Sequence, residues 1–470
     1  MNTQIIIAFS IYAFILTAIG YFFYRKNKNA SSFILGDRST NYFVTAVALQ
    51  ASDMSHWLFL GFPAVVYASG LIRIWEVFGL AFFMFLNWQF VAPKIRRATE
   101  KLQAITLFSY FEKRFKDNTG TIRILTSLIS VIFFTFYITS GLVALGRLFE
   151  GSFGLPYEIG VFFGLATAII YTLLGGFVAV AWCDFFQGLF ALAMIVLVPT
   201  IAYFAIGGWP EITTAAATKG VSLNFLPSTK NIWTILSLIL IWGPGYFGQP
   251  HLLAFFMGID DPKKIKYAKR IGCSWQIIAL SFSAFIGIVG LAYFNNGGEM
   301  IYVHLCKLLF HPLVAGFMLC AILAATLSTL DSQILTSGSA IAEDLYKKIF
   351  NKHASSKKIL WISRLGSITI SLIALVIAYD GSNTIYNLVN YAWAGMGSAF
   401  GPLVITSLYS KKINRNGAIA GIVTGAVISG IWPHFNASIP PLIPGFIAST
   451  IAIYVISYLT NHRENNVKTA

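Results

Sequence analysis

Charged residues are scarce in this sequence: they make up 11% of its 470 residues, whereas soluble domains carry about 25%. Hydrophobic residues account for 57% of the chain, and the mean hydropathy is +0.71. So little charge excludes an ordinary soluble domain. The apolar stretches are continuous rather than alternating, which excludes a membrane barrel of strands. The sequence therefore predicts an all-α polytopic membrane protein.

Cysteine is also scarce, and clustered catalytic groups are missing. The four cysteines lie in or beside apolar segments without CxxC spacing, so we expect neither a disulfide framework nor a zinc site. The chain contains no recognisable nucleophile–base pair and no phosphate-binding loop, and we therefore predict that it is not an enzyme.

The apolar segments are long enough to cross a bilayer many times. A crossing needs about 20 residues, and the first helix lacks the basic start and cleavage site of a signal peptide, so we interpret it as a retained span. About thirteen transmembrane helices are predicted, the ninth with a short loop helix at its start. Their ranges are 5–23, 42–70, 72–93, 124–149, 157–176, 182–206, 232–257, 271–294, 302–341, 359–379, 384–409, 416–433 and 442–460.

The basic residues are distributed unevenly among the loops. Of the 33 Lys and Arg residues, 28 fall in alternate loops and the carboxyl-terminal tail, and five (Arg73, Arg147, Lys219, Lys230 and Lys307) fall on the opposite side. The positive-inside rule then places the amino terminus outside and the carboxyl terminus in the cytoplasm. The formal net charge of +15 thus reflects topology and contact with membrane lipids, and we expect no nucleic-acid partner.

A polar run interrupts the second predicted span. Ala51–Trp57 contains the carboxylate of Asp53 between two serines, and Gly61 and Pro63 follow closely. An ionisable group at this depth is costly unless it faces a cavity or a partner. We therefore predict a helix that breaks inside the membrane and lines a site for an ion or a substrate. The alternative is an intact helix in which Asp53 pairs within the bundle.

The seventh predicted span is interrupted in a similar way. Residues Ile241–His251 contain three glycines and two prolines, a composition that no continuous membrane helix favours. The two interruptions lie about 190 residues apart with four spans between them. Equivalent breaks in two successive five-helix units indicate an inverted-repeat transporter with a midplane site. A merely kinked helix is the alternative.

The ninth span carries small and hydroxylated residues on one face. Ala325, Ser328 and Thr329 are related by i, i+3 and i+4 spacing. A carbonyl and two hydroxyls form a neutral oxygen set that suits a partly dehydrated sodium ion. The alternative is close packing against a neighbouring helix.

Two further features concern charged groups near span ends. Asp184 follows the Gly175-Gly176 turn and is expected just inside the next helix, where it would either favour the helix dipole or belong to an ion pathway. Arg147 and Glu150 are three residues apart and are expected to pair at the outer interface.

At these elements the chain resembles the sodium/solute symporter family, most closely its proline-transporting branch. The resemblance covers nearly the whole chain and implies a LeuT-type core of two inverted five-helix repeats. The implied divisions are 1–40 for an extra helix and loop, 41–207 and 208–410 for the repeats, and 411–470 for two further helices and a short tail. The matching segments are Ala51–Ser55 with Trp57, Gly175-Gly176 with Asp184 and Gln187, Gly245–His251, Leu327–Leu330, Ala342–Tyr346, Tyr391–Gly395 and Gly401-Pro402.

The resemblance also implies the site residues. Sodium would be bound by the carbonyls of Ala51, Met54 and Ala325 and the hydroxyls of Ser328 and Thr329. Asp53 would support sodium electrostatically or by holding the break open, and Asp184 would mark a second cation position. Proline, or a similar small zwitterion, would lie against Ser55, Trp57, Gly61, Tyr137, Trp242, Tyr246 and Pro250, together with His56.

The chain departs from the family pattern at two positions. His56 replaces the Gly that usually follows the substrate serine, so it would narrow the pocket, alter the substrate or add pH dependence, or else point into a polar cavity. Cys183 replaces the usual Thr before Asp184, which weakens the argument for an ion ligand there.

The resemblance implies a sodium symporter that works by alternating access in a bacterial inner membrane. The alternatives are a symporter for another amino acid, an organic acid or a vitamin, and a membrane solute sensor. The short tail after the last span favours transport over sensing.

Overall fold

The computed structural model describes residues 3–24, 30–226, 232–382, 384–436 and 438–468. Helices dominate this part of the chain, and one isolated backbone bridge joins Thr40 to Ile259 outside them. Eight of the helices are long and apolar enough to cross a membrane by length and composition, and shorter apolar helices lie between them. The all-α prediction is confirmed.

Thirteen helical segments correspond to the predicted spans, and two of them consist of shorter helices separated by breaks. They are labelled here in chain order. They are α1 (Thr3–Tyr24), α2 (Tyr42–Met54, His56–Leu58 and Gly61–Ser69), α3 (Leu71–Lys101), α4 (Thr121–Phe153), α5 (157–175), α6 (Gly176–Ala205), α7 (Ile232–Leu240, Gly243–Gly248 and Pro250–Gly258), α8 (Pro262–Tyr293), α9 (Pro312–Ile349), α10 (Ser356–Ala378), α11 (Ile385–Tyr409), α12 (Arg415–Phe435) and α13 (Leu442–Lys468).

Short helices occupy the longer connections. They are Ala30–Leu35 after α1, Leu107–Arg114 before α4, Trp209–Thr218 after α6 and Ile301–Leu309 before α9. The last of these is the loop helix expected at the start of the ninth span. Several spans are longer than predicted: α3 continues through a π-helical turn at Asn87–Val91 as far as Lys101.

The connection between α5 and α6 differs from the prediction. The sequence suggests an inner turn with α6 beginning near residue 182, but the two helices meet directly at Gly176, where φ is +58°. A positive φ of this kind favours glycine. Asp184 is consequently eight residues into α6 and is not a carboxylate of the first helical turn, which makes the helix-dipole interpretation wrong.

Small residues allow α2 to approach α6 closely. A Cβ added at Gly188 of α6 would lie 2.9 Å from the Cβ of Ala51 and 3.2 Å from the carbonyl oxygen of Val47. Water does not drive helices together within a bilayer, so the stabilisation comes from such close packing and from hydrogen bonds. Ala51 of the broken helix is thereby held against α6, with α9 on its other side.

Ion pairs connect the helix ends to neighbouring segments on both sides of the bundle. On the basic-loop side, Arg123 of α4 pairs with Asp344 of α9 and, at 3.2 Å, with Glu112. On the other side, the ion pair of Arg147 is with Glu299 of the loop before α9, and Glu299 accepts a hydrogen bond from the Ile385 amide at 2.9 Å. Glu150, one turn away, still interacts with Arg147 through its charge, but the direct ion pair of Arg147 is this tertiary contact.

Candidate functional site

The break in α2 is a sharp change of backbone direction at one residue. Tyr42–Met54 is regular helix, capped at its start by the Asn41 side chain, and Ser55 then adopts φ +38° and ψ −174°. A serine in this region stores about 1–3 kcal/mol of backbone strain, which surrounding contacts must offset. The Ser55 hydroxyl accepts a hydrogen bond from the Trp57 amide at 3.4 Å. The predicted interruption at Ala51–Trp57 is thus present.

The oxygen set predicted on α9 is assembled against the broken helix. The Ser328 hydroxyl donates to the Ala51 carbonyl at 3.0 Å and contacts the Ala325 carbonyl at 3.1 Å. The Thr329 hydroxyl donates to the same Ala325 carbonyl at 3.1 Å. Met54 is the last residue of the first half of α2, one helical turn beyond Ala51. Two carbonyls and two hydroxyls therefore meet in a buried, uncharged cluster, a donor set that suits a hard monovalent cation.

A second link joins α2 to α9 one turn away from this cluster. The hydroxyls of Ser52 and Ser332 form a short hydrogen bond, and both side chains are buried. The two helices are thus held together at consecutive positions of α2.

Asp53 joins the two broken helices rather than the oxygen set. Its carboxylate accepts a hydrogen bond from the Tyr246 hydroxyl of α7 at 2.8 Å. Gln276 of α8 donates to the same hydroxyl at 2.8 Å, and Asn87 of α3 donates to the Tyr246 carbonyl at 3.1 Å. All four side chains are buried. A buried carboxylate needs such donors, so this chain explains how Asp53 is tolerated at the middle of the bundle.

The aromatic residues around the breaks form a layered stack. The rings of Trp57 and Trp242 are stacked with centroids 5.6 Å apart and an interplanar angle of 11°. The Trp393 indole donates to the Trp242 carbonyl at 2.8 Å and packs edge-on to Tyr246 at 5.1 Å. Such stacked and perpendicular arrangements are the favoured geometries of aromatic pairs. Trp57, Trp242 and Tyr246, all predicted site residues, are thereby brought together.

A buried carboxylate of α3 holds this stack in place. Glu76 accepts hydrogen bonds from the Trp242 indole at 3.1 Å and from the Tyr386 hydroxyl at 3.2 Å, and it forms an ion pair with Arg73. Its carboxylate therefore connects α3, α7 and α11 above the stacked indoles. This network lies towards the side of the membrane that carries few basic residues.

The remaining predicted substrate residues surround the same region. Tyr137 of α4 is buried beside Asp53 and Ser55, and a Cβ at Gly61 would lie 3.6 Å from the Cβ of Trp57. His56 is buried, and within the part of the chain that the structure describes its ring nitrogens have no hydrogen-bond partner.

A small cavity opens beside Pro250 on the basic-loop side of the site. Its volume is about 40 Å³, enough for water. Pro250 and His251 of α7 contribute one wall, and Ser332 and Thr336 of α9 contribute another. The aromatic layer thus closes one side of the site, whereas the cavity reaches towards the other.

Asp184 faces a carboxylate that sequence reasoning did not single out. It interacts directly with Asp331 of α9, and both side chains are fully buried. Two carboxylates at this range repel each other unless a proton or a cation lies between them. Asp331 is one helical turn from Ser328, so the pair adjoins the oxygen set.

Glu76, Asn87, Gln276 and Asp331 were all missed as site residues. Each is a carboxylate or amide side chain within a predicted apolar span, and the cost of such a group at membrane depth is the signal that would have found them.

Comparison with known proteins agrees with this architecture. The sodium:solute symporter family model matches residues 33–425. The "Sodium/proline symporter" of Escherichia coli (strain K12) is 40% identical over 98% of this chain and 94% of its own. The "Osmoregulated proline transporter OpuE" of Bacillus subtilis (strain 168) is 41% identical over 98% and 96%. The chain belongs to the sodium:solute symporter family, and it is therefore a sodium-coupled membrane transporter and not an enzyme.

Solved transporter structures share the fold. A substrate-bound, outward-open Na⁺-coupled sialic acid symporter superposes with a TM-score of 0.81 at 21% identity, over 97% of this chain and 98% of that one. Mhp1, a nucleobase-cation-symport-1 family transporter, gives a TM-score of 0.59 at 14% identity, over 93% and 96%. The predicted LeuT-type fold is confirmed.

Proposed function

We propose that this protein imports proline together with sodium by alternating access. The observation that carries the proposal is the buried oxygen set of Ala51, Ala325, Ser328 and Thr329, placed directly beside the broken part of α2. The proline transporters among its relatives, matched over nearly their full length, support the choice of substrate.

Sodium would replace the direct hydrogen bond between Ser328 of α9 and Ala51 of α2. Ser328 now donates its proton to the Ala51 carbonyl, and a cation would instead take a lone pair from each of these oxygens. The carbonyls of Ala325 and Met54 and the hydroxyl of Thr329 would complete the ligands. Because the ligands come from two helices, sodium would favour the arrangement in which α2 and α9 are close.

Proline would bind between the two broken helices. The indoles of Trp57 and Trp242, which stack on each other, would provide apolar surface for a pyrrolidine ring once that stack opens, and the Ser55 and Tyr246 hydroxyls would provide polar contacts for a charged group. Gly61 lies beside Trp57, where an added Cβ would be 3.6 Å from both the Trp57 Cβ and the Ile385 side chain. The complete proposed set is Ser55, His56, Trp57, Gly61, Tyr137, Trp242, Tyr246 and Pro250.

The Asp184–Asp331 pair is the best-supported position for a second cation. Both carboxyl groups are removed from solvent and adjacent, so a cation between them would relieve their repulsion. Cys183 supplies no oxygen ligand, and Asp331 would compensate for it.

The proposed orientation and domain division follow from the charges and the breaks. The amino terminus would be outside and the carboxyl terminus in the cytoplasm, because 28 of the 33 basic residues fall on one side. Residues 41–207 and 208–410 would form the two inverted repeats, each beginning with a broken helix, and 1–40 and 411–470 would lie outside them.

The decisive experiment is uptake of radiolabelled proline into proteoliposomes, with an inward sodium gradient and then with potassium instead. Ser328→Ala removes one sodium ligand, and we expect the half-saturating sodium concentration to rise about tenfold or more, since a hydrogen bond to a charged group contributes about 1.5–3 kcal/mol. Thr326→Val is the matched control, because the Thr326 hydroxyl donates to the Ile322 carbonyl of its own helix, at 2.6 Å.

Absence of proline binding and uptake in a folded wild-type protein would contradict the substrate but not the family. Other amino acids, organic acids and vitamins would then be screened in wild type and in His56→Gly. Sodium activation that is equal in Ser328→Ala and Thr326→Val would contradict the proposed sodium site.

A further inference from the structure

A basic cavity lies between α3 and α8, away from the transport site. It has a volume of about 210 Å³ and is found on the side of the bundle that carries the basic loops. Its lining residues are Trp88, Gln89, Pro93, Arg97, Pro262, Lys263, Ile265, Lys266 and Lys269. Four of the nine are cationic, and no acidic residue is among these lining side chains.

Of the nearby carboxylates, Asp261 accepts a hydrogen bond from the Lys263 backbone amide at 2.8 Å, and the other two are paired with cations outside the cavity lining. Glu100 forms its ion pair with Arg96, and Asp260 forms its ion pair with Lys264. Within the described part of the chain, the four lining cations have no carboxylate partner; Lys269 instead donates to the Gln89 amide oxygen at 2.6 Å. The cavity therefore gathers four cations that form no ion pair among the described residues, and it suits an anion.

An apolar strip leads from the middle of the membrane to this cavity. Phe78, Phe82 and Phe85 share one face of α3, are 52%, 44% and 43% exposed, and precede Gln89 at helical spacing. The Lys269 ammonium lies 4.9 Å from the centroid of the Phe85 ring, which marks where the apolar strip meets the cations.

We propose that this cavity binds the phosphate headgroup of an anionic phospholipid, with its acyl chains along the Phe78–Phe82–Phe85 strip. Basic pockets between membrane helices on the cytoplasmic side recognise anionic headgroups in this way. A lipid fits better than free phosphate because a single amphiphile satisfies both the cations and the adjoining apolar strip. The lipid would bridge α3 and α8, and this inference is independent of which solute is transported.

The test is native mass spectrometry of the full-length protein in detergent, mixed with equal amounts of phosphatidylglycerol and phosphatidylcholine. Wild type should retain phosphatidylglycerol preferentially. Combining Arg97→Gln, Lys263→Gln and Lys266→Gln should reduce that preference about tenfold or more, since each basic residue contributes about a kcal/mol. The three side chains are exposed, so the fold should survive; Lys266→Glu alone provides a second variant with the same expected direction.

The matched control combines Lys352→Gln in the loop before α10 with Lys357→Gln and Lys358→Gln in the first turn of α10, and all three lysines are exposed. It removes the same charge from the same side and should keep the preference. If both triple variants lose the preference for phosphatidylglycerol equally, only general surface charge acts and the site is overturned. If neither variant loses the preference, the site is overturned as well. Displacement of phosphatidylglycerol by excess inorganic phosphate would mean that the cavity holds a free anion.

Discussion

Tyr246→Phe is the most direct test of whether the Asp53–Tyr246 hydrogen bond couples the broken helices α2 and α7. The Tyr246 hydroxyl donates to Asp53 at 2.8 Å and accepts from Gln276 at 2.8 Å. Removing it leaves a buried carboxylate and a buried amide without that partner. A hydrogen bond to a charged group contributes about 1.5–3 kcal/mol, which corresponds to about a 10- to 150-fold change in an equilibrium constant. We expect the half-saturating sodium concentration for proline uptake to rise by this amount.

The assay measures initial uptake rates over a range of sodium at saturating proline, and then over a range of proline at saturating sodium. Tyr302→Phe is a suitable control because the Tyr302 hydroxyl is also buried and donates to a backbone carbonyl, that of Met318, at 3.2 Å. It removes one buried hydroxyl that bonds neither broken helix, so we expect little change in sodium dependence.

A double-mutant cycle that combines Tyr246→Phe with Asp53→Asn measures the interaction between these two side chains apart from their contacts with other residues. If the hydrogen bond transmits the effect, the two substitutions should be strongly non-additive, with a coupling of about 1.5–3 kcal/mol. Additive effects would refute the reasoning. A Tyr246→Phe protein in which only the proline dependence changes would show that Tyr246 acts on the substrate alone.

Three further predictions address other parts of the site. Asp331→Asn should change the steepness of sodium activation, measured as the Hill coefficient of uptake, whereas an unchanged coefficient would contradict a second cation beside Asp184. Glu76→Gln should loosen the Trp242 indole and raise the half-saturating proline concentration several-fold, with the sodium dependence retained; unchanged proline dependence would contradict that positioning role. Arg38→Gln removes donors to two carbonyls, at 2.6 and 2.9 Å, and should lower the thermal unfolding midpoint, with Arg38→Lys intermediate because lysine lacks the guanidinium fork.

The broken helices and the oxygen set could be predicted because local sequence determines them. Three glycines and two prolines in Ile241–His251 are incompatible with continuous helix whatever surrounds them. The i, i+3 and i+4 spacing of Ala325, Ser328 and Thr329 fixes a common face as soon as α9 is helical. The structure adds the partner of that face, the Ala51 carbonyl.

The polar contacts between distant helices could not be predicted in the same way. Arg147 has Glu150 one turn away, yet its ion pair is with Glu299, because the loop before α9 folds back onto the end of α4. The position of Asp184 was misjudged because a single glycine, Gly176, joins two helices that the sequence suggests are separated by a turn. Such contacts depend on the arrangement of whole helices and leave no local signature.

The hydrogen bonds around the α2 break suggest how sodium and substrate become coupled. Ser328 donates a hydrogen bond to the Ala51 carbonyl, and Asp53 accepts one from Tyr246. A cation at the proposed oxygen set would replace the first of these bonds, and we expect it to shift Ala51 and with it Asp53, only two residues along the chain. Because Asp53 holds Tyr246 of α7, that shift reaches the face on which we propose that proline binds. Reciprocity then requires that proline, by fixing Tyr246, changes the affinity for sodium by the same factor, and cutting the Asp53–Tyr246 bond should reduce both effects together.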